Sequence, residues 1–222
     1  MIKPIRFLSL IILLLLLSTY SPTYKQNNLN LIFPIKDIKI KNIKILDSKK
    51  IINELEIIKG KNLLFVDKQI IRSVMEKFDF ISSFNVKKIY PETIEIVIFE
   101  KKPVAIYIQK KKKFYISEKG DLIKYLEIAN YNDLPLLFGK KKNFNIFFRD
   151  LKNINFPIYD IESFHYFEIG RWDIALKDEI IVKLPQSNYI DVLENFLLIK
   201  NDKSFEKYKI FDYRIKDQLI LN

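Results

Sequence analysis

The 222 residues suffice for one ordinary domain or two small ones and are too few for a large multidomain enzyme. Hydrophobic residues make up 49% and aromatics 14%, with 4 Gly and 8 Pro, which excludes a disordered or collagen-like chain; zero cysteine excludes disulfides, thiolate metal sites and a cysteine nucleophile, and a single histidine, His165, leaves no cluster for metal or triad chemistry. The formal charge of +11 comes mostly from lysine, with arginine only at Arg6, Arg72, Arg149, Arg171 and Arg214, so it reads as a compositional bias toward Lys, Ile and Asn and not as a nucleic-acid footprint.

Lys3 and Arg6 precede an apolar run from Phe7 to Leu17 broken only by Ser9. Such a start suits a cleaved signal peptide or an uncleaved anchor. The residues after Leu17 offer no A-x-A pattern, and Pro22 follows the best-placed small residue, which favours the anchor. Ile5 to Leu17 as a helix spans roughly 20 Å, short of a hydrocarbon layer of about 30 Å. Extending through Thr19, Tyr20 and Tyr24 reaches the usual length of roughly 20 residues, unless the true start lies upstream of Met1. The basic residues before the run put the N-terminus in the cytoplasm and everything after residue 24 on the far side, in a bacterium the periplasm.

Residues 25–33 read as a linker. From Pro34, Ile35, Ile38, Ile40, Ile43 and Ile45 alternate with lysines, which predicts a strand with a bulge near Asn42. Asp47 and Ser48 are candidate caps for a helix carrying Ile51, Ile52, Leu55 and Ile58, ended by Gly60. Asp67 caps a second helix with Ile70, Ile71, Val74, Met75 and Phe78 as its stripe. Strands follow at Phe84 to Tyr90 and Thr93 to Glu100, with Pro91 at the turn. Antiparallel pairing with both helices on one face is the economical packing for this β-α-α-β-β order.

Beyond Pro103 the pattern is mostly strand: Val104 to Gln109, Lys113 to Ser117, Leu122 to Leu126, Phe164 to Ile169, Trp172 to Leu176 and Ile180 to Leu184. A helix is predicted from Phe144 to Ile154 on the shared face of Ile146, Phe147 and Leu151. Another starts at Asn188, with Tyr189, Leu193, Phe196, Leu197 and Lys200 along one side. Tyr208 to Tyr213 and Gln218 to Asn222 are the last strands, joined by Ile215, Lys216 and Asp217. The fold class is α+β: an N-terminal anchor helix, a β-α-α-β-β domain, then a second, mostly antiparallel β domain with flanking helices.

The 27 carboxylates mostly alternate with lysine on strand and helix faces, which marks solvated surface. His165, between Phe164 and Tyr166 in a strand, reads as structural before it reads as a general base. Trp172 is expected to be a packing residue. Lys110 to Lys113 forms a charged hairpin turn, with binding to acidic lipid or a polyanion as the functional alternative. No dinucleotide fingerprint, P-loop or nucleophile elbow is present, and nothing asks for a cofactor.

Residues Leu63 to Tyr107 look like the second half of a POTRA domain. Their end, KKIYPETIEIVIFEKKPVAIY, is similar to a form recurring in the FtsQ/DivIB family: basic residues, an aromatic, Pro, two residues, alternating aliphatics, then Glu, a basic residue, Pro and Ala. RWDIALKDEIIVKLP (Arg171 to Pro185) resembles a hairpin of that family's second domain, and KIFDYRIKDQLILN (Lys209 to Asn222) resembles its final strand pair. The resemblance covers nearly the whole chain. It implies a stub and transmembrane anchor at 1–24, a linker at 25–33, a POTRA domain at 34–103 and a β domain at 104–222. It further implies a non-enzymatic, single-pass inner-membrane scaffold of the bacterial division machinery at the septum. The implied partners are FtsB and FtsL at the last strands and FtsK through the POTRA domain, with no small-molecule substrate and no nucleic acid. Carried over by position, the contact residues are Ile215, Asp217, Gln218, Leu219, Ile220, Leu221 and Asn222. The nearly absent cytoplasmic stub, the lack of a tail after the final strand and Ile215 in place of an aromatic depart from many relatives.

A terminal strand with Leu219 and Leu221 on one face and Ile220 on the other is an unprotected edge if solvent-facing, and such edges accept a partner strand. The alternative places this strand inside the sheet as core. Two competing functions are a POTRA-bearing assembly factor for outer-membrane or secreted proteins and a periplasmic hydrolase. The first normally needs a long barrel, for which too few residues follow Pro103. The second requires clustered carboxylates or a buried His165.

Overall fold

The computed structural model describes residues 11–16 and 32–222. Residues 11–16 are helical, and no helix among the described residues is long and apolar enough to cross a membrane. The rest of the expected anchor and most of the linker lie outside the described residues. The chain divides into two compact units. One takes in the described residues up to 43 with 47–75 and 84–98; the other comprises 44–46, 76–83 and 99–222.

The first unit follows the order β1 (Asp37–Lys41), α1 (Ser48–Leu55), α2 (Lys68–Met75), β2 (Ile81–Ile89), β3 (Thr93–Glu100), with Ile81–Ser83 of β2 and the last two residues of β3 counted in the second unit. The strand expected to run through Ile45 stops at Lys41. Asn42 adopts φ +62° and its amide donates to the Ile98 carbonyl at 2.8 Å, so it ends the strand instead of bulging it. Asp47 caps α1 through Lys49 N–H at 2.8 Å, and the Asp67 carboxylate accepts from Gln69 N–H at the start of α2. Gly60, at φ +76°, follows the short 3-10 turn Glu56–Ile58. β3 lies between β1 and β2. β1 pairs with it in parallel, Ile38 opposite Ile94 and Ile40 opposite Ile96, which corrects the antiparallel expectation. Two helices and β2 intervene between these strands, more than the roughly dozen residues that a parallel connection requires. Ile51, Leu55, Ile71, Val74, Ile94, Ile96 and Ile98 are all buried.

The second unit is built on a nine-stranded sheet in the order β12-β11-β10-β9-β8-β7-β4-β5-β6. Its strands are β4 (Pro103–Gln109), β5 (Lys112–Ser117), β6 (Leu122–Lys124), β7 (Leu136–Phe138), β8 (Ile161–Phe167), β9 (Arg171–Leu176), β10 (Ile181–Lys183), β11 (Ile210–Asp212) and β12 (Ile220–Leu221). The sheet is mixed: β10 with β11, β7 with β8 and β4 with β7 are parallel pairs, the others antiparallel. Helices α3 (Phe144–Asn153) and α4 (Tyr189–Ile199) contribute to the core that covers one face. Phe147 of α3 stacks on Trp172 at 4.7 Å, confirming a packing role for the tryptophan. Ile146, expected in this core, is 40% exposed; the inward stripe is Phe144, Phe147, Phe148 and Leu151. On the opposite face, near β6, Phe80, Ile106, Tyr115 and Ile123 form a smaller cluster.

Glu100 explains part of the motif around Pro103. Its carboxylate accepts from three successive backbone N–H groups, Lys44 at 3.0 Å, Ile45 at 3.0 Å and Leu46 at 2.9 Å. A carboxylate in such a nest satisfies donors that no strand or helix occupies.

Candidate partner-docking edge

The nine-stranded sheet has two outer strands. At one end, the Lys124 N–H of β6 donates to an Asp79 carboxylate oxygen at 3.3 Å, so that edge is partly closed by a side chain. At the other end β12 pairs with β11 and has no neighbour on its outer side among the described residues. The alternative of a strand enclosed within the sheet does not hold.

The register decides which groups face outward. Asn222 and Ile210 exchange both bonds, Ile210 N–H to the Asn222 carbonyl at 2.9 Å and Asn222 N–H to the Ile210 carbonyl at 3.1 Å. Phe211 lies opposite Leu221 and Asp212 opposite Ile220. Because hydrogen-bonded and non-hydrogen-bonded pairs alternate along an antiparallel ladder, the Leu221 N–H and C=O point away from β11. Side chains alternate too: Leu219 and Leu221 pack on the core, while Ile220 is 41% exposed.

The ladder is shorter than the expected Gln218 to Asn222. Asp217 turns through φ +57° and Gln218 N–H donates back to the Ile215 carbonyl at 3.2 Å, so Ile215, Asp217 and Gln218 form an exposed turn leading into β12. This turn borders a groove of about 730 Å³. Its other walls are Pro185–Asn188 and the exposed and half-buried residues Asp191, Val192 and Asn195 of α4. Tyr213 lines it as well, with its hydroxyl donating to Asn195 Oδ1 at 3.0 Å; burial pushes the phenol up to about 12. The expected contact segment and this groove therefore form one continuous surface.

A row of side chains that the sequence conceals crosses the sheet to this edge. Phe138, His165, Asp173, Lys183, Asp212 and Ile220 stand opposite one another on six adjacent strands, on the face away from α3 and α4. His165 stacks on Phe138 at 4.9 Å, and its Nε2 is 2.9 Å from Ser163 Oγ. Burial lowers the His165 pKa, with Asp173 opposing that shift, and burial raises the Asp173 carboxyl against the pull of Arg171. Arg171 Nε lies 3.2 Å from Asp173 Oδ1 without an aligned hydrogen bond, and its guanidinium sits 4.3 Å from the Phe167 ring centre. Asp212 is better served. Arg214 grips its carboxylate with Nε at 2.8 Å and Nη2 at 2.5 Å, which holds the Asp212 pKa below the usual range. Both pairs lie within one segment, Arg171 with Asp173 along β9 and Arg214 with Asp212 at the end of β11.

Comparison with known proteins finds two matches in chain order. Residues 33–101 match the family described as POTRA domain, FtsQ-type, and residues 105–214 match the one described as Cell division protein FtsQ/DivIB, C-terminal. The chain belongs to the FtsQ/DivIB family. It is similar to Cell division protein FtsQ of Rickettsia conorii, 27% identical over 197 residues, covering 87% of this chain and 73% of the relative. The Rickettsia bellii protein of the same name is 28% identical over 200 residues, with the same coverage, and that of Rhizobium meliloti is 23% identical over 167 residues, covering 70% of this chain and 51% of the relative. The FtsQ/DivIB C-terminal match ends at residue 214, so β12 and the turn before it lie past the matched span.

Proposed function

We propose that this FtsQ/DivIB chain is a non-enzymatic scaffold of the bacterial division machinery, and that it recruits its partner by accepting a strand along β12. The open outer side of β12 is the observation that carries the reading. An added strand supplies partners to the Leu221 N–H and C=O and meets Ile220 on one face. The groove beside the Ile215–Leu219 segment offers room for the flanking part of the same partner. By family resemblance that partner is FtsB, with FtsL associated, and FtsK is the candidate for the POTRA domain.

The same reading takes residues 1–24 as a cytoplasmic stub and single inner-membrane anchor, 25–33 as a linker, and 34–103 and 104–222 as periplasmic domains at the septum. The basic residues Lys3 and Arg6 ahead of the apolar run support this orientation.

Leu221→Pro tests the docking mechanism. Proline removes an outward N–H while sparing the bonds that β12 makes to β11. Affinity for an FtsB-type partner falls at least about tenfold, roughly 1.4 kcal/mol, relative to Leu221→Ala, which loses the same packing on the core but keeps the outward N–H. Wild-type affinity in Leu221→Pro contradicts strand addition.

A further inference from the structure

We infer that an apolar and aromatic patch at the start of the first unit docks on the surface of a phospholipid bilayer, a role that rests on reading residues 1–24 as a membrane anchor. The patch comprises Ile32, Phe33, Leu64, Phe65 and Tyr90, all exposed, with Phe65 at 71%. They gather at one place. Pro34 bridges to Asn62, the Leu63 N–H donates to the Phe33 carbonyl at 2.8 Å, and the rings of Phe33 and Tyr90 meet edge to face at 5.6 Å.

The exposure is built in, not frayed. Buried Asn62 accepts from Leu64 N–H at 2.8 Å through its side chain and from Phe65 N–H at 3.2 Å through its carbonyl. The Lys88 ammonium holds the Leu64 carbonyl at 2.7 Å. Leu63 and Val66 turn inward while Leu64 and Phe65 between them are held outward. A fixed loop that presents Leu and Phe to water marks a contact surface.

Its chemistry and its tether identify the occupant. Phe and Tyr rings with aliphatic neighbours, flanked here by Lys61 and Lys88, are the composition that settles at the boundary between headgroups and acyl chains. The patch begins at Ile32, and only residues 17–31 separate it from the helical residues 11–16, a reach of at most about 50 Å when fully extended. An anchor in the bilayer therefore keeps this patch at high local concentration next to lipid. A second copy is the poorer fit, because two chains of net charge +11 bring like charges together.

The chain has no cysteine, so single-cysteine variants of the full-length protein label cleanly. An environment-sensitive fluorophore is placed at F65C, at L13C and at S73C on the exposed side of α2, and the protein is reconstituted in phosphatidylcholine vesicles containing phosphatidylglycerol and nitroxide lipids. Headgroup-level nitroxide quenches F65C at least about twofold more than S73C, and more strongly as phosphatidylglycerol increases. L13C is quenched by deep nitroxide. A label at I32C loses its quenching when L64E and F65E are introduced together. Quenching at L13C with F65C no different from S73C overturns the patch and leaves the anchor intact. A blue-shifted but unquenched F65C means that protein covers the patch, either residues 17–31 or a second copy, and also overturns it. No quenching at L13C or F65C removes the anchor reading and the patch with it.

Discussion

At the scale of single residues, Glu100 and His165 show how buried or nested polar groups decide stability. Glu100 bonds three backbone N–H groups that have no strand or helix partner. Glu100→Ala leaves those donors unmet and lowers unfolding stability by about 2 kcal/mol in denaturant titration; a change under about 0.5 kcal/mol contradicts this assignment. His165 acts through its proton. Burial holds its pKa below the ordinary 6.5, so the folded chain binds this proton less readily than the unfolded chain. The sign follows: its contribution is complete above about pH 6.5 and declines as pH falls toward the lowered value. Asp173, raised by burial from 3.8, works in the opposite sense, losing stability as pH rises through its own raised value. Calorimetry at about pH 7.5 and about pH 5.5 therefore shows a drop in melting temperature that shrinks in His165→Gln. An equal drop in the variant assigns the slope to other groups.

Among the elements, α3 carries the clearest energetic contrast. Phe147 is fully buried against Trp172, Phe164 and Tyr189, whereas its neighbour Ile146 faces solvent. Phe147→Ala costs about 3–5 kcal/mol and Ile146→Ala within about 0.5 kcal/mol in equilibrium unfolding. Comparable losses at the two positions contradict this orientation of the helix. The same helix shows what a sequence displays and what it hides. Its existence was legible from the 3.6-residue spacing, and α1 and α2 from their Asp47 and Asp67 caps. The buried face of α3 is ambiguous in the sequence because Ile146 is as apolar as Phe147; the buried stripe is the i, i+3, i+4, i+7 set of Phe144, Phe147, Phe148 and Leu151. Strand order was not legible. β7 has three residues, and nothing local to Leu136–Phe138 states that β4 and β8 flank it in parallel. The row from Phe138 to Ile220 was invisible for the same reason, since register alone assembles it. The site fared better: alternation placed Leu219 and Leu221 opposite Ile220, while the turn at Asp217 that shortens the strand left no clear signal.

At the scale of the whole molecule, each unit brings its own surface to a division scaffold. In the first, Leu64 and Phe65 are held outward by Asn62. In the second, one sheet has an edge partly closed by Asp79 and another left open at β12. Open edges are ordinarily blunted by shortness, charge, proline or cover; β12 is short, at two residues, but among the described residues its outer side carries no proline or covering element, which is consistent with a partner that completes the sheet. Backbone amide exchange at neighbouring residues of β12 separates the two sides of the strand. Asn222 N–H, bonded to the Ile210 carbonyl, is protected in the chain alone, whereas the outward Leu221 N–H exchanges freely. On adding an FtsB-type partner, Leu221 exchange slows by roughly a hundredfold or more and Asn222 changes little. A saturated complex in which the Leu221 amide still exchanges at its free rate contradicts strand addition at this edge.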